Sequence, residues 1–123
     1  LNILKENFER QPQKIILPTL EGLNVVDIDS IVRCEADSNY TVFYLANGNK
    51  EIISKSLNNF DKLLCDHHFS RIHSKHLINL KFLKRYVKGK AGYVIMNDNQ
   101  HVYISETRKK SFVDDLNHFA KSI

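Results

Sequence analysis

Residues 69–90 read FSRIHSKHLINLKFLKRYVKGK, a stretch in which basic side chains are interleaved with apolar ones. Apolar positions such as Ile72, Leu77 and Ile78 would hold short strands against a core, and the basic positions would decorate a face or the connecting loops. The stretch therefore predicts three strands, at residues 69–73, 76–79 and 82–87. A polar tip follows at residues 88–92 and contains two of the four glycines.

Short strands and turns continue on both sides of this stretch. Runs rich in β-branched and aromatic residues predict further strands at residues 15–20, 23–26, 31–36, 40–46, 51–53, 93–96 and 101–104. Asn47-Gly48-Asn49 predicts a two-residue hairpin turn, because Asn and Gly tolerate the positive φ that such turns need. Residues 37–39 form another polar tip, and residues 27–30 predict a tight local turn.

Two segments have helical spacing. The first has its apolar residues on one face, with Ser56 placed to cap its first turn and an end near Cys65. The second runs from Ser105 or Glu106 to about Ala120. The predicted fold class is therefore mainly β, with one internal helix and one C-terminal helix.

Length and charge point to a single domain with a charged partner. The 123 residues (14.3 kDa) suit one compact domain, and 42% hydrophobic with 26% charged residues is typical of a globular chain. The net charge is only +4, but residues 71–110 carry ten basic and two acidic residues, a net +8. Residues 1–70 carry −3 and residues 111–123 carry −1. Such polarisation indicates an anionic partner.

Several classes of protein are disfavoured. No apolar run approaches the ~18 residues of a membrane-spanning helix. The start, LNILKENFER, lacks a signal-peptide pattern and does not begin with Met, so we interpret residues 1–13 as a linker or the tail of an upstream element, and residues 14–120 as the domain. Cys34 and Cys65 form no C-x-x-C motif, and we expect two reduced thiols packed among apolar neighbours in a cytoplasmic protein.

The sequence offers little for catalysis or metal binding. It contains no nucleophile elbow, phosphate-binding loop, dinucleotide fingerprint or H-E-x-x-H motif. His67, His68, His73 and His76 are close in sequence, but adjacent or odd-spaced positions on a strand face opposite sides and do not converge on an ion. We predict no enzyme activity, no metal site and no cofactor.

The start of the C-terminal helix is the clearest candidate anion site. Arg108, Lys109 and Lys110 occupy its first turns, where the helix dipole disfavours each cation by ~0.3–1 kcal/mol. A phosphate would resolve this conflict by accepting from both the backbone N–H groups and the basic side chains, with Ser105 and Thr107 as further donors. The alternative is a tolerated cluster of surface charge. Individual strand lysines also have another explanation, since they protect sheet edges from unwanted pairing.

Four motifs resemble one known family. They are FSRIHSKHLINL at residues 69–80, EADSNY at residues 35–40, S-L-x-x-F at residues 56–60 and YISETRKK at residues 103–110. In order and spacing they resemble the LytTR (LytR/AlgR-type) DNA-binding domain of bacterial response regulators, over about residues 14–120. The resemblance implies an elongated arrangement of small antiparallel sheets that binds duplex DNA through loops, without a recognition helix in the major groove.

The resemblance also implies a set of contact residues. The predicted DNA-binding residues are Asp37, Ser38, Asn39, His73, Ser74, Lys75, Thr107, Arg108 and Lys109. Phosphate contacts are predicted for Arg71, Lys88, Lys90 and Lys110. Asn39 could pair with adenine and Arg108 with guanine, while Lys75 would meet phosphate. Two positions depart from the family pattern: Ser38 stands where Gly is frequent, and Glu106 where a basic residue often follows the Ser.

The resemblance implies partners and leaves alternatives. Family members carry an upstream receiver domain, whose end and linker residues 1–13 would represent, and the intact protein would control transcription as a dimer on paired DNA sites in the bacterial cytoplasm. One alternative is a β-rich protein–protein module whose basic face docks an acidic partner. Another is binding of RNA or single strands by stacking on Tyr40, Phe43, Tyr44 and Tyr86, residues that core packing also explains.

Overall fold

The computed structural model describes residues 13–122, so most of the predicted linker lies outside the described residues. The strands are β1 (Lys14–Thr19), β2 (Gly22–Asp27), β3 (Ile31–Asp37), β4 (Tyr40–Leu45), β5 (Lys50–Ile53), β6 (Phe69–His73), β7 (His76–Asn79), β8 (Leu83–Val87), β9 (Tyr93–Met96) and β10 (His101–Tyr103). The α-helices are α1 (Asn58–Leu64) and α2 (Lys109–Phe119). Short 3₁₀ turns occupy Ile28–Ser30, Cys65–His67, Leu80–Phe82 and Glu106–Arg108.

The strands form three small antiparallel sheets. β1 and β2 make a two-stranded ribbon, and β8, β9 and β10 make a three-stranded sheet in the order β10-β9-β8. The largest sheet has the order β5-β4-β3-β7-β6, with β3 at its centre. This confirms the predicted mainly-β class with one internal and one C-terminal helix.

The five-stranded sheet separates two hydrophobic cores. Leu77 and Ile78 are neighbours on β7, yet they are fully buried in different cores, because successive strand residues point to opposite faces. One core lies under the β1–β2 ribbon and α1, where the Phe43 and Phe60 rings meet edge to face at 4.8 Å. The other lies under the three-stranded sheet and α2 and contains Phe112.

Two turn predictions need correction. The β4–β5 connection spans residues 46–49 and is not a two-residue turn: Leu45 N–H donates to Asn49 O at 2.9 Å, and Gly48 alone in the loop takes a positive φ, 89°. Ser56 does not cap α1. Leu57 already has helical dihedral angles at the N-cap position, and the Ser56 hydroxyl accepts from the Asn59 side-chain amide at 3.0 Å instead.

Both cysteines are free thiols as predicted, but the predicted apolar packing holds for Cys34 only. Cys34 is fully buried on β3, and burial raises the pKa of its thiol far above the usual range. Cys65 is exposed, which contradicts the expected apolar packing. The physical reason is its place one step past α1, whose buried side comprises Phe60 and Leu64. Partial burial and the Asp66 and Asp61 carboxylates raise the pKa of the Cys65 thiol.

Candidate nucleic-acid interface

Three chain segments that are far apart in sequence meet at one end of the five-stranded sheet. They are the β3–β4 turn (residues 37–40), the β6–β7 turn (residues 73–76) and the segment that enters α2 (residues 105–110), and together we call them the three-loop surface. Two backbone hydrogen bonds join them. Ala36 N–H donates to Lys75 O at 2.9 Å, and Ser105 N–H donates to Ile72 O at 2.9 Å. The three loops are therefore fixed relative to one another by the sheet.

A groove of about 320 Å³ lies at this surface. Each loop contributes one of its predicted contact residues to the lining: Ser38 from the first, Ser74 from the second and Arg108 from the third. The remaining lining residues are Ala36, Ser56, Leu57, Asn58 and Arg71. The structure thus brings the three sequence-predicted sets together around one concave site.

The β3–β4 turn has a strained tip. Asp37 pairs with Tyr40, which leaves Ser38 and Asn39 as a two-residue loop. Ser38 has a φ of 56°, and Asn39 is not among the residues with positive φ. These are the φ signs of a type II′ turn, whose first central residue is normally Gly. The turn exposes the Asp37, Ser38 and Asn39 side chains, and none of them has a hydrogen-bond partner among residues 13–122.

The β6–β7 turn is held by its own histidine. His73 pairs with His76 across the strands, and Ser74 and Lys75 form the exposed tip. Lys75 N–H donates to His73 Nδ1 at 3.1 Å, so the proton of a neutral His73 ring resides on Nε2. In the described part of the chain, the Lys75 ammonium has no acceptor and is available to an anion.

Arg71 lies behind the tip of this turn, where it lines the groove and is held by protein groups. Its Nε donates to His73 O at 2.8 Å, and its Nη1 donates to Asn58 Oδ1 at 3.0 Å and Asp61 Oδ2 at 2.9 Å. Its Nη2 donates to Ser74 O. With only 10% of its side chain exposed and its charge balanced by Asp61, Arg71 is poorly placed for the predicted phosphate contact. These contacts give Arg71 a supporting role in the turn, and its predicted phosphate contact stays a prediction.

The third loop carries three cations that differ in exposure and in whether they have a hydrogen-bond partner in the described chain. Arg108 is half-buried and Lys110 is exposed, and neither side chain has a partner within residues 13–122. Lys109 Nζ donates to Gly89 O at 3.0 Å, so this side chain points toward the β8–β9 loop. Thr107 is exposed, with its hydroxyl 3.4 Å from that of Ser105.

The β8–β9 loop (residues 88–92) is fixed beside the start of α2. Ile104 N–H donates to Gly92 O at 3.1 Å. Lys90 Nζ lies 3.6 Å from Glu106 Oε1, an exposed ion pair that explains how an acid is accommodated in this basic region. Lys88 is exposed and unpaired within the described residues. The loop therefore extends the basic surface outward from α2.

A partly buried polar cluster supports the three-loop surface from the sheet. Arg33 lies over the Tyr44 ring at 3.8 Å, and its Nη1 donates to Glu35 Oε1 at 3.3 Å. His76 Nδ1 is 3.6 Å from the same carboxylate oxygen. Burial nevertheless lowers the pKa of His76 to about 4, so the ring is neutral near pH 7 and this contact is not an ion pair there. The cluster was not predicted, although the R-x-E spacing places Arg33 and Glu35 on one strand face.

Most of the four aromatic residues considered for base stacking pack against other protein groups. Phe43 is fully buried, and Tyr86 packs edge to face on Phe112 at 5.2 Å. Tyr44 is covered by Arg33, which leaves Tyr40 as the exposed member of the four, at 47%. Core packing therefore explains most of this set.

The described residues contain hydrogen-bond donors and cations suited to an anion. Within residues 13–122 no group of three or more His, Cys, Asp or Glu side chains is placed to hold a metal ion. In the same part of the chain, neither α-helix has the length and apolar character that crossing a membrane requires.

Comparisons with known proteins point to one family. Residues 21–117 match the family of the LytTr DNA-binding domain. The fold is similar to that of a solved LytTr DNA-binding domain, from a Bacillus cereus protein described as a putative methyl-accepting/DNA response regulator. The TM-score is 0.74 at 20% sequence identity, and the match covers 86% of this chain and 98% of the other. No curated protein sequence gives a significant match.

Proposed function

This chain belongs to the LytTR DNA-binding domain family, and on that premise we propose that it binds duplex DNA sequence-specifically as the output domain of a bacterial response regulator that controls transcription. The observation that carries the proposal is the convergence of three loops around one groove, with unpaired cations on two of them in the described chain. The same proposal includes an upstream receiver domain, dimeric binding to paired DNA sites and a cytoplasmic location.

Each loop has a distinct part in the proposed binding. Arg108 lines the groove and has no protein partner in the described chain, so its guanidinium can donate in bidentate fashion to a guanine edge. Asn39 at the strained tip can pair with an adenine edge. Lys75, at the other tip, suits a phosphate oxygen and would fix the register without reading sequence.

Further residues would contact the flanking backbone. Lys88 and Lys110 are exposed and unpaired within residues 13–122, and Lys90 has only a solvent-exposed ion pair to give up. Lys109, Thr107, Ser74 and His73 border the same surface, and Asp37 and Ser38 complete the first loop. The preference for duplex DNA over single strands is supported by the full burial of Phe43 and by the packing of Tyr86 on Phe112, because rings occupied in the core are not free to stack on bases.

The proposal is tested by selecting bound sequences from a random duplex pool and measuring their affinity by fluorescence anisotropy. We expect Arg108→Ala to weaken binding to the selected site by about 1–3 kcal/mol and to relax the preference at one base pair. Lys62→Ala is the matched control, because Lys62 is an exposed cation that lines a different groove beside Lys14 and Ile15. Absence of binding to any duplex at low salt would refute the proposal. If single-stranded DNA competes as well as duplex DNA, the proposed duplex specificity is refuted. Displacement of the DNA by an acidic peptide would favour the protein–protein alternative.

A further inference from the structure

The β6–β7 turn lacks the backbone geometry that normally stabilises a two-residue hairpin. Such loops usually adopt type I′ or II′ turns, which need a positive φ at one or both central residues. Neither Ser74 nor Lys75 has a positive φ. The register also shifts between Arg71 and His73, so the strand is bulged where it enters the turn. Side chains outside the tip contact this turn, namely His73 and Arg71.

Arg71 makes its contacts through the shape of its guanidinium. On one side, Nε and Nη2 donate to the successive carbonyls of His73 and Ser74. On the other side, Nη1 donates to Asn58 Oδ1 and Asp61 Oδ2 of α1. Four of the five N–H donors of a rigid planar fork are thus engaged, an arrangement that a lysine could not reproduce.

We propose that α1 positions the β6–β7 loop for DNA through this bridge, with Arg71 and Asp61 as positioning residues that do not themselves touch DNA. The inference rests on the proposed function. Asp61 fixes the guanidinium, the guanidinium fixes the carbonyls of His73 and Ser74, and Lys75 O in turn accepts from Ala36 N–H at the base of the β3–β4 loop. A contact made on α1 is therefore transmitted to two of the three loops.

The bridge reverses the simple electrostatic expectation for Asp61. Removing a carboxylate near a DNA-binding surface should strengthen binding to every duplex, because it removes repulsion from phosphates. If Asp61 positions the loop, its removal should weaken binding to the selected site. The two explanations therefore predict opposite signs for one substitution.

The test compares Asp61→Ala with Asp114→Ala. Both remove an acidic side chain from a helix and change the net charge equally, and Asp114 is exposed with no side-chain partner in the described chain. We expect Asp61→Ala to lower the ratio of specific to non-specific affinity at least about fivefold, the lower end of what one base contact contributes. Asp114→Ala should leave that ratio unchanged.

Amide hydrogen exchange supplies a readout that does not need DNA. In Asp61→Ala we expect faster exchange at Lys75 and Ala36, whose N–H groups form the turn's hydrogen bonds, while the core amide of Phe43 keeps its rate. A purely structural role would accelerate all three amides together. Unchanged exchange at Lys75 and Ala36, or tighter specific binding by Asp61→Ala, would overturn the inference.

Two outcomes of the test are separated by design. If the wild-type domain binds no duplex, the proposed function fails while the exchange experiment still decides whether α1 holds the turn. If Asp61→Ala does not fold, Asn58→Ala replaces it, because Asn58 is exposed and is the second acceptor of Arg71 Nη1. We expect Asn58→Ala to accelerate amide exchange at Lys75 and Ala36 as well, but by a smaller factor.

Discussion

At the scale of single residues, Ser38 holds a conformation that suits glycine. Its φ of 56° costs a non-Gly residue about 1–3 kcal/mol, whereas the extra freedom of Gly in the unfolded chain costs about 0.5–1 kcal/mol. We therefore expect Ser38→Gly to raise the free energy of unfolding by about 1 kcal/mol, measured by urea denaturation. Ser74→Gly is the matched control, because Ser74 is also a turn tip but has no positive φ, and it should be neutral or destabilising. Equal effects of the two substitutions would contradict the strain at Ser38.

His76 links stability to acid pH. Its folded-state pKa of about 4 lies below the ordinary value of 6.5, because burial and the nearby His73, Arg33 and Lys75 outweigh the Glu35 carboxylate. The unfolded chain therefore takes up a proton first, and the stability that neutral His76 provides is complete above pH 6.5 and declines as the pH falls toward 4. The slope stays below the ~1.4 kcal/mol per pH unit set by one proton, since the ring is only partly buried.

This linkage is measured by urea denaturation at a series of pH values. His76→Gln removes the titrating group, so we expect its free energy of unfolding to vary less than that of the wild type between pH 6.5 and 4. Parallel pH profiles for the two proteins would show that other groups control stability in this range.

Residue positions near the site were predictable where the local sequence determines them. Ser38 and Ser74 could be placed on loops because they lie between strand-like runs, and Arg108 could be placed at the start of the last helix; these three positions do converge. The role of Arg71 could not be predicted in the same way. Its partner Asp61 is on α1, ten positions away, and only the fold brings that helix against β6. From the sequence alone, a basic residue whose charge is free cannot be distinguished from one whose charge is neutralised by a distant acid.

At the scale of elements, the β8–β9 loop depends on Gly92 for both conformation and space. Gly92 has a φ of 86°, and a Cβ there would lie 2.7 Å from Val87 O and 3.0 Å from the Tyr86 ring. We expect Gly92→Ala to lower the free energy of unfolding by about 2–4 kcal/mol, since steric overlap adds to the conformational cost. Gly48 isolates the conformational cost, because its φ is 89° and a Cβ there would meet nothing within 4 Å.

Gly48→Ala should therefore lower the free energy of unfolding by only about 1–2 kcal/mol. Both variants are measured by urea denaturation. A loss of stability as large for Gly48→Ala as for Gly92→Ala would mean that contact with Val87 and Tyr86 adds nothing.

Element boundaries show where sequence patterns lose accuracy. Runs of β-branched and aromatic residues between turn signals identified most strands, because such side chains pack well on a sheet face, and the helices followed from their apolar stripes. The length of the β4–β5 loop did not follow from Asn47-Gly48-Asn49, because a positive φ at Gly48 fits both two-residue and four-residue loops. Ser56 failed as a cap for a similar reason: its hydroxyl had a nearby competing donor in Asn59.

At the scale of the whole molecule, folding divides the basic segment into free and neutralised charges. Counting along the sequence gives residues 71–110 a net +8. In the structure, acids from the supposedly separate acidic part of the chain reach two of those cations: Asp61 pairs with Arg71 at 2.9 Å, and Asp29 pairs with Lys81 at 2.7 Å. The charge presented to a partner is therefore smaller and more localised than the sequence suggests.

This division leads to a prediction about the salt dependence of DNA binding. Each phosphate contact contributes about −0.9 to the slope of log affinity against log salt concentration. Lys88 is exposed and unpaired in the described chain, so Lys88→Ala should make the slope shallower by about 0.9, in anisotropy titrations of the selected duplex at several salt concentrations. Lys81→Ala removes a cation from the same segment, but that cation is already paired with Asp29, and the slope should not change. An equal decrease for both variants would mean that DNA responds to the segment's total charge, and no decrease for Lys88→Ala would remove Lys88 from the interface.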